Sequence, residues 1–490
     1  MKKIVKIFAA LVLMAFVATF SACGGGSDTP DPTPTPAATP PAAPGNGGGG
    51  QQAQAPEPTP PPRDLGGIEV VIGQWHQNHC TETFDFAGAD ILTRMAWEER
   101  AYLEQKHNFR VIYRRMGNWD TVRDMIPDML AAGSREIQVW QLAPAWFLGL
   151  VGDGAFAPVP DEYLTPELTG GTPWRAGHTE LGRRNGNAHG FAQGAVATAG
   201  IYFNMRLFEE AGFPREYLFD LQAAGNWTWD NFLRVARAVQ QFDAEGNITI
   251  WPLTTFHQDF FQSAMPSNNA SPVSIDPVTG RFINTTMTRE FQETLEFMFQ
   301  LRDEMLAMHE MDVDGEWDAF RTMFAEGRGA MRAASSYVAT EIFENLADEW
   351  GFVAFPRGPS APWDGHMNEV MGDFMAIPHV FNAQEVSDIM YALSLWYRPL
   401  PDSEPDDWKI EEFARHRHPR SVDETMALYT RNTEWQRVRE WATLPININF
   451  GDNFAFRVWT GEHTPAIVTE EAQPVIDDII ARSNTQLFGN

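Results

Sequence analysis

From residue 66 onward, short apolar runs alternate with amphipathic stretches. The first three runs have the length and apolar character of buried strands: 68–72, 109–113 and 137–140. Helices are predicted between them, one over Ile91–His107 and one from the apolar positions Val122, Ile126, Met129 and Leu130, which Gly133 ends. Alternation of strand and helix predicts right-handed crossovers and a parallel sheet, so we expect an α/β fold.

Beyond residue 201 the pattern becomes more helical. Helices are predicted where Thr228 can cap a face of Phe232, Val235, Ala236 and Val239, and from the spacing of Phe291, Leu295, Met298 and Met305 and of Val386, Ile389, Met390, Leu393 and Tyr397. Short strand-like runs lie between them at 248–251, 330–333, 350–355 and 374–377. Residues 399–419 are polar, charged and interrupted by proline, which predicts a surface excursion with solvated His416 and His418.

The ends of the predicted strands are where we first look for function. In parallel α/β sheets, ligands bind beyond the carboxyl ends of the strands. In the first three strands these positions hold Gln74 with Trp75, residues 116–119, and Trp140 with Gln141.

The N-terminus predicts a location for the protein. Lys2, Lys3 and Lys6 precede an apolar stretch, and small residues then lead to Cys23, as in a secretory signal peptide. A cysteine at this place resembles a bacterial lipoprotein signal, in which residues 1–22 are removed and Cys23 carries the lipid. We therefore predict a protein anchored by lipid on the extracytoplasmic face of the cell membrane. The alternative is an ordinary signal peptide, with Cys23 incidental.

Residues 23–62 are predicted to be a tether. The stretch after Cys23 is rich in proline and glycine and contains no aromatic residue, leucine, isoleucine or valine. Such a segment has too little apolar surface to offset the entropy of ordering it.

Composition narrows the possible partners. The chain of 490 residues has 65 acidic and 36 basic residues, a formal net charge of −29, which argues against a nucleic acid or an anionic membrane surface as partner. It is 43% hydrophobic and has the length for more than one core. The only two cysteines, Cys23 and Cys80, exclude a disulfide framework.

Ordered motifs in the middle of the chain resemble a known family. Residues 188–232 carry His189-Gly190, a strand-like run ending in Tyr202-Phe203-Asn204, then Ala211-Gly212, Pro214 and Thr228-Trp229-Asp230. Further matches follow in order: Phe324, Gly327 and Ala330-Met331, then residues 350–359 and 376–378. This series resembles the family 1 extracellular solute-binding proteins, the receptors of sugar-importing ABC transporters, which include the maltodextrin-binding proteins. Residues 399–419 match that pattern poorly.

The resemblance implies a two-lobed fold of the periplasmic-binding-protein type. Each lobe would be a mostly parallel sheet flanked by helices, with crossing hinge strands between the lobes and the ligand in the cleft. Its expected divisions are a first lobe over 63–195, a second over 196–375, a return to the first over 376–445 and a return to the second over 446–490. The function implied is capture of a sugar or oligosaccharide and its delivery to the permease subunits of an ABC importer, by a noncatalytic monomer.

Sugars need aromatic platforms beside polar groups that match their hydroxyls. We predict ligand contacts at four strand ends: Gln74, Trp75, Trp140, Gln141, Asp259, Phe260, Ser336 and Tyr337. The opposing interpretation is that Trp75, Trp140 and Phe260 only pack the core. Arg332 is the nearest cationic candidate, which leaves an acidic sugar as a weaker alternative to a neutral one.

Other chemistry has weaker support. His76, His79 and Cys80 lack a second ligand pair at zinc-finger spacing, and the acidic segments 243–247 and 312–316 lack a complete calcium loop, so we predict neither metal nor cofactor. Motifs of serine hydrolases, zinc proteases and phosphate loops are absent from the sequence. Two alternatives stay open: a secreted lipid-anchored carbohydrate-active enzyme, and a surface sensor that feeds a signalling receptor.

Overall fold

Two large β-sheets organise the protein, whose structure is a computed structural model. It describes residues 63–75, 86, 89, 91–164, 179, 182–184, 186–192, 199–308, 319–362, 364–370, 373–401, 404, 406–431, 436–438, 440–446 and 448–489. The predictions for the signal peptide, Cys23, the tether, the His76–Cys80 motif and the acidic segment 312–316 lie outside the described residues. Residues 61–490 form one compact unit.

The elements have the following bounds. The strands are β1 (Ile68–Gln74), β2 (Phe109–Arg115), β3 (Val139–Leu142), β4 (Arg183–Arg184), β5 (Asn187–Ala188), β6 (Ala199–Asn204), β7 (Gln241–Phe242), β8 (Ile248–Thr254), β9 (Val273–Ile275), β10 (Phe282–Asn284), β11 (Ala307–Met308), β12 (Gly329–Ser335), β13 (Trp350–Ala354), β14 (Asn368–Val370), β15 (Phe374–Ala376) and β16 (Gln436–Val438). The α-helices are α1 (Ile91–His107), α2 (Trp119–Ala131), α3 (Pro144–Gly152), α4 (Met205–Glu210), α5 (Tyr217–Ala223), α6 (Trp229–Val239), α7 (His257–Ser267), α8 (Arg289–Asp303), α9 (Ala319–Ala325), α10 (Ala339–Asn345), α11 (Ala383–Trp396), α12 (Trp408–Arg415), α13 (Ala427–Arg431), α14 (Arg457–Trp459) and α15 (Pro465–Phe488). Tighter or wider helical turns occupy Asp161–Leu164, Ser336–Val338, Ser421–Met426, Glu440–Thr443 and Gly451–Phe456.

The smaller sheet has the strand order β15-β3-β1-β2. Strand β1 is parallel to both of its neighbours, with Ile68 level with Phe109 and Ile72 level with Val139. Strand β15 joins the edge in the antiparallel direction. The predicted parallel sheet, with a helix after each of its first three strands, is therefore confirmed.

Helices cover both faces of this sheet because side chains alternate along each strand. Val70 and Ile72 pack with Leu103 of α1 and Ile389 of α11. Val71 points the other way and packs with the buried residues of α2 and α3. The two faces of the smaller sheet thus belong to two separate hydrophobic clusters, one under α1 and α11 and one under α2 and α3.

The larger sheet has the order β11-β8-β12-β6-β13, with β7 paired to β8. Strands β11 and β12 are both parallel to β8, whereas β6 runs antiparallel to β12 and to β13. The largest hydrophobic cluster covers one face and a second cluster, around Tyr202 and Trp350, covers the other. The two sheets together confirm the α/β fold class.

Helix ends follow the local sequence signals. Asn118 caps α2 by accepting a hydrogen bond from the Thr121 amide, and Thr228 caps α6 in the same manner through Asn231. Gly133, predicted to end α2, has a φ of +65° just beyond it. The prediction was wrong for Met305, which lies beyond the end of α8 and is exposed, because the helix stops at Asp303.

The predicted surface excursion over residues 399–419 contains helix α12. None of the residues of this helix is buried. The turn Ser421–Met426 that follows covers the edge strand β13. Ser421 accepts a hydrogen bond from the Phe352 amide at 3.0 Å, and Thr425 donates one to the Phe352 carbonyl at 2.8 Å. These bonds cap a sheet edge that would otherwise present unpaired backbone groups.

The prediction of a solvated His416 was wrong. His416 is 4% exposed and its Nδ1 lies 3.0 Å from the Glu412 carbonyl oxygen. Its ring packs beside Trp350 and Phe352 of β13, which the charged local sequence gave no reason to expect. Burial lowers the pKa of His416 to about 4, and burial likewise lowers the pKa of His366 to about 4.

Residues of the expected third segment, 376–445, pack on both sheets. Helix α11 packs on the smaller sheet, whereas Met426 and Trp408 pack on the larger one. Two hydrogen-bonded segments run between the sheets: Phe191 pairs with Met375 of β15, and the Ala199 amide donates to Oδ1 of Asn368. The expected lobe boundaries all stay predictions.

Within the part of the chain that the structure describes, the search for a membrane-crossing helix finds none with the required length and apolar character.

The buried histidines generate a prediction on stability. Because the pKa of His366 and of His416 is lower in the folded state than the ordinary 6.5, their contribution is complete above pH 6.5 and is lost as the pH falls toward 4. We expect each to contribute on the order of 2 kcal/mol to the difference in unfolding free energy between pH 7.5 and 4.5.

Urea unfolding of wild type, His366→Asn and His416→Asn at both pH values measures this. Each variant should be less stable than wild type at pH 7.5 yet lose less stability on acidification. An equal loss in all three proteins would contradict the prediction.

Candidate functional site

The carboxyl ends of the parallel strands in the two sheets lie where the chain passes between the sheets. Phe374, the first residue of β15, is level with Leu142 at the end of β3. Ala199, the first residue of β6, is level with Ser335 at the end of β12. Because the crossing segments enter both sheets at these edges, strand ends from both sheets border the region between them, which is the expected place for a ligand.

A cavity of about 560 Å³ lies at this edge of the smaller sheet. Its lining comes from the first half of α1, from β2, β3 and β15, and from the end of α11. Glu411 of α12, a helix that packs with α10 beside the larger sheet, also lines it. The volume falls within the ~300–1,000 Å³ of small-molecule sites.

Aromatic rings form much of the cavity wall. Trp97 and Trp396 meet edge to face, with ring centroids 5.6 Å apart. The hydroxyls of Tyr113 and Tyr397 are hydrogen-bonded to each other. Burial raises the pKa of Tyr113 to about 12, so this hydroxyl stays neutral at physiological pH and is able both to donate and to accept.

Polar groups lie between the rings. The Gln141 amide donates to Oδ2 of Asp373 at 2.8 Å. The Arg100 guanidinium lies 5.0 Å above the Trp396 ring and donates through Nε to the Trp396 carbonyl at 3.2 Å, and burial lowers its pKa. Among the described residues that line the cavity, this one guanidinium accompanies two carboxylates, those of Asp373 and Glu411.

Three tryptophans cluster at the same strand ends, on the other face of the sheet. Trp75 follows β1, Trp119 begins α2 and Trp146 lies in α3. Trp75 is 5.1 Å from Trp119 and 5.0 Å from Trp146 between ring centroids, and Trp119 and Trp146 are 4.4 Å apart. Trp119 is 46% exposed, so this tryptophan cluster offers an indole surface held by two neighbouring rings.

The corresponding edge of the larger sheet carries Asp259, Ser336 and Tyr337. Asp259 lies in the first turn of α7, just after β8, and Ser336 and Tyr337 follow β12. Tyr337 is 68% exposed, whereas Ser336 is buried and its carbonyl accepts from the Tyr202 hydroxyl at 3.3 Å. Burial and then the Asp259 carboxylate raise the pKa of Tyr337, which indicates that these two side chains are neighbours.

Two predicted platforms lie in the core instead. Trp140 is 1% exposed and fills the space beside Gly73, where a Cβ atom would come within 2.9 Å of the indole. Phe260 is 0% exposed and packs against Phe355 and Phe297. Neither ring presents a free face to a ligand in this structure, because strand alternation and the inner face of α7 direct them into the packing.

The structure brings Gln141 into the cavity wall and places Gln74 at the end of β1 with its side chain 0% exposed. Arg332 lies near Tyr337 but is 3% exposed, and its guanidinium pairs with Glu341 at 3.0 Å. This ion pair offsets the charge that it could offer to an acidic sugar.

Sequence reasoning missed most of the cavity residues. The missed residues with aromatic or charged side chains are Trp97, Arg100, Tyr113, Asp373, Trp396, Tyr397 and Glu411. Only Tyr113 carried a usable signal, because it lies near the end of the predicted second strand and its side chain is polar at one end. The others come from helices and crossings whose positions depend on tertiary packing.

The described residues contain no group of three or more His, Cys, Asp or Glu side chains arranged to hold a metal ion.

Comparisons with solved structures find the same fold. An ABC substrate-binding protein from Listeria monocytogenes in complex with cycloalternan matches 84% of this chain and 99% of its own, with 14% identity and a TM-score of 0.57. The cyclic alpha-maltosyl-1,6-maltose binding protein from Arthrobacter globiformis matches 85% of this chain and 99% of its own, with 15% identity and a TM-score of 0.58. The GacH receptor of Streptomyces glaucescens, solved unliganded and with acarbose, matches 84% of this chain and 98% of its own, with 13% identity and a TM-score of 0.55.

The sequence itself supplies the assignment. A search of curated proteins finds no match. Residues 100–392, more than half of the chain, match the family described as bacterial extracellular solute-binding protein. The two-lobed neighbours confirm the predicted fold, and the chain belongs to the bacterial extracellular solute-binding proteins.

Proposed function

We propose that this protein is an extracellular receptor that captures a sugar or oligosaccharide between its two sheets and delivers it to an ABC importer. The observation that carries the proposal is the cavity at the carboxyl edge of the smaller sheet, where aromatic rings alternate with amide, carboxylate and guanidinium groups. Rings contact the apolar faces of a sugar and polar groups its hydroxyls. Two of the solved neighbours named above were determined in complex with cycloalternan or acarbose, which supports the same ligand class.

A neutral sugar fits the charges better than an acidic one. Arg100 shares the cavity wall with two carboxylates, those of Asp373 and Glu411, and the buried Arg332 pairs with Glu341. A carboxylate ligand would meet more negative than positive charge at the described cavity wall.

The tryptophan cluster and the Asp259–Tyr337 pair extend the proposed site to both sheets. A ligand that touches both edges favours the conformation in which they are close, so its binding energy drives closure. The permease subunits would then recognise the closed receptor. We expect a monomer, with the lipid on Cys23 as its attachment to the extracytoplasmic face of the membrane.

The ligand class is tested by thermal shift. Maltotetraose, cycloalternan and acarbose form the test panel, with an oligogalacturonate and glutamine for the acidic and amino acid classes. A ligand at about 100 times its Kd adds roughly 2.7 kcal/mol to the unfolding free energy, which raises the Tm. We expect a neutral oligosaccharide to give the largest shift, whereas a shift with glutamine alone would overturn the ligand class.

Incubation with the panel sugars also separates the receptor from the enzyme alternative. We expect chromatography to recover them unchanged, and hydrolysis products would favour the carbohydrate-active enzyme.

Aromatic contacts are tested by calorimetry on Trp75→Ala, Trp119→Ala and Tyr337→Ala. Loss of a platform removes about 0.5–1.5 kcal/mol of stacking and about 1.5–3 kcal/mol of burial, so affinity should fall roughly tenfold to a thousandfold.

Phe242→Ala is the matched control, since Phe242 is 51% exposed on β7, level with Ile248 at the opposite end of β8. It should bind like wild type. If all three site variants fold and also bind like wild type, the proposed extension to the tryptophan cluster and Tyr337 is wrong.

Anchoring is tested with Cys23→Ser, because a thioether-linked lipid requires that sulfur. We expect the variant to leave the membrane fraction or to remain unprocessed. A processed Cys23→Ser protein that still sediments with membranes would contradict lipid attachment at Cys23.

A further inference from the structure

Gln74, the last residue of the central strand β1, is a buried amide without a hydrogen bond. Its side chain is 0% exposed, and among the described residues neither Nε2 nor Oε1 has a hydrogen-bond partner. Burial of an unbonded amide destabilises a protein, so such a residue calls for a reason.

The strand pattern places this amide on the side of the sheet that carries the cavity, next to lining residues but not itself among them. Val70 and Ile72 face α1 and α11, so Gln74, two residues further, faces the same side. On that side Tyr113 of β2, Gln141 of β3 and Met375 of β15 all line the cavity.

Register brings Gln74 level with one of these residues. Ile72 is level with Val139 and Gly73 with Trp140, so the next pair in the parallel ladder is Gln74 and Gln141. Gln141 is in turn level with Met375. Neighbouring strands lie about 4.8 Å apart. Gln74 therefore adjoins Gln141 at one end of a row in which Gln141 and Met375 line the cavity.

Another buried glutamine, Gln222, makes all of its side-chain hydrogen bonds within the fold and serves as a comparison. Gln222 is 6% exposed, accepts from the Ala354 amide at 2.7 Å and donates to Oγ1 of Thr425 at 3.1 Å. Both of its polar atoms are used within the fold, in contrast with those of Gln74.

We propose that Gln74 is a specificity residue whose hydrogen bonds are completed by the ligand, an inference that rests on the proposed function. Its Nε2 would donate to one hydroxyl of a sugar ring and its Oε1 accept from the adjacent hydroxyl, beside the Gln141–Asp373 pair. A hydroxyl both donates and accepts, so two neighbouring hydroxyls match the amide, whereas a carboxylate offers only acceptors. The ligand class is thereby a neutral sugar with two adjacent free hydroxyls at the end that enters the cavity.

The test uses Gln74→Met, which retains the approximate volume and removes both polar atoms. The empty variant should melt several degrees above wild type, because no unbonded amide remains. Its affinity for the panel sugar with the largest thermal shift should fall at least tenfold by calorimetry. Gln222→Met is the matched control: it should melt below wild type, since it breaks two hydrogen bonds, and should bind that sugar with unchanged affinity.

Each result bears either on the Gln74 inference or on the proposed function. If Gln74→Met binds the sugar like wild type, the inference is overturned whatever its Tm, and the proposed function survives. If wild type binds no panel sugar, the proposed function itself fails. If Gln74→Met does not fold, monodeoxy analogues of the same sugar are titrated into wild type. Two adjacent deoxy positions should each weaken binding at least tenfold, and full affinity for every analogue would overturn the inference.

Discussion

The parallel alignment of β1 with β2 and β3 is the constraint on which the proposed site depends. It brings three carboxyl ends to one edge, so that residues far apart in sequence, such as Tyr113 and Gln141, line one cavity. The antiparallel strands β15 and β6 begin at the corresponding edges of the two sheets and carry the chain between them. Without this arrangement, the polar ends of the strands would lie on separate surfaces of the molecule.

The wall of the cavity is partly contributed by a segment beyond the family match. Residues 100–392 match the family, whereas Leu400 and Glu411 line the cavity from further along the chain. Helix α12 presents Glu411 to the cavity and Glu412 to His416 beneath it. The same segment covers the edge of the larger sheet through Ser421, so its position is determined by backbone groups of β13 that need partners.

Buried polar atoms are unevenly satisfied across the molecule. Gln222 and Thr425 use their hydrogen bonds to hold β13. Among the described residues, Nε2 of His416, Nε1 of Trp350 and both polar atoms of Gln74 have no such bond. Those near His416 lie where α12 packs on the larger sheet, while Gln74 lies beside Gln141 of the cavity wall. The side-chain amide of Gln222 is thus explained by its hydrogen bonds within the fold. The burial of the Gln74 amide is not explained in that way.

The sequence by itself determined the first three strands with their helices and several later elements, because apolar periodicity, caps such as Thr228 and the stop at Gly133 are local signals. It also indicated the family and the strand ends at which Gln74, Trp75, Gln141 and Tyr337 lie. Only the tertiary structure decided which rings are accessible: Trp140 is covered because Gly73 leaves room for its indole, and Phe260 because α7 turns it inward. The same holds for Trp97 and Trp396, which are 299 positions apart in the sequence and meet only when α1 and α11 pack on one face of the sheet. Burial and accessibility depend on contacts between distant segments, and local sequence patterns carry no direct record of those contacts.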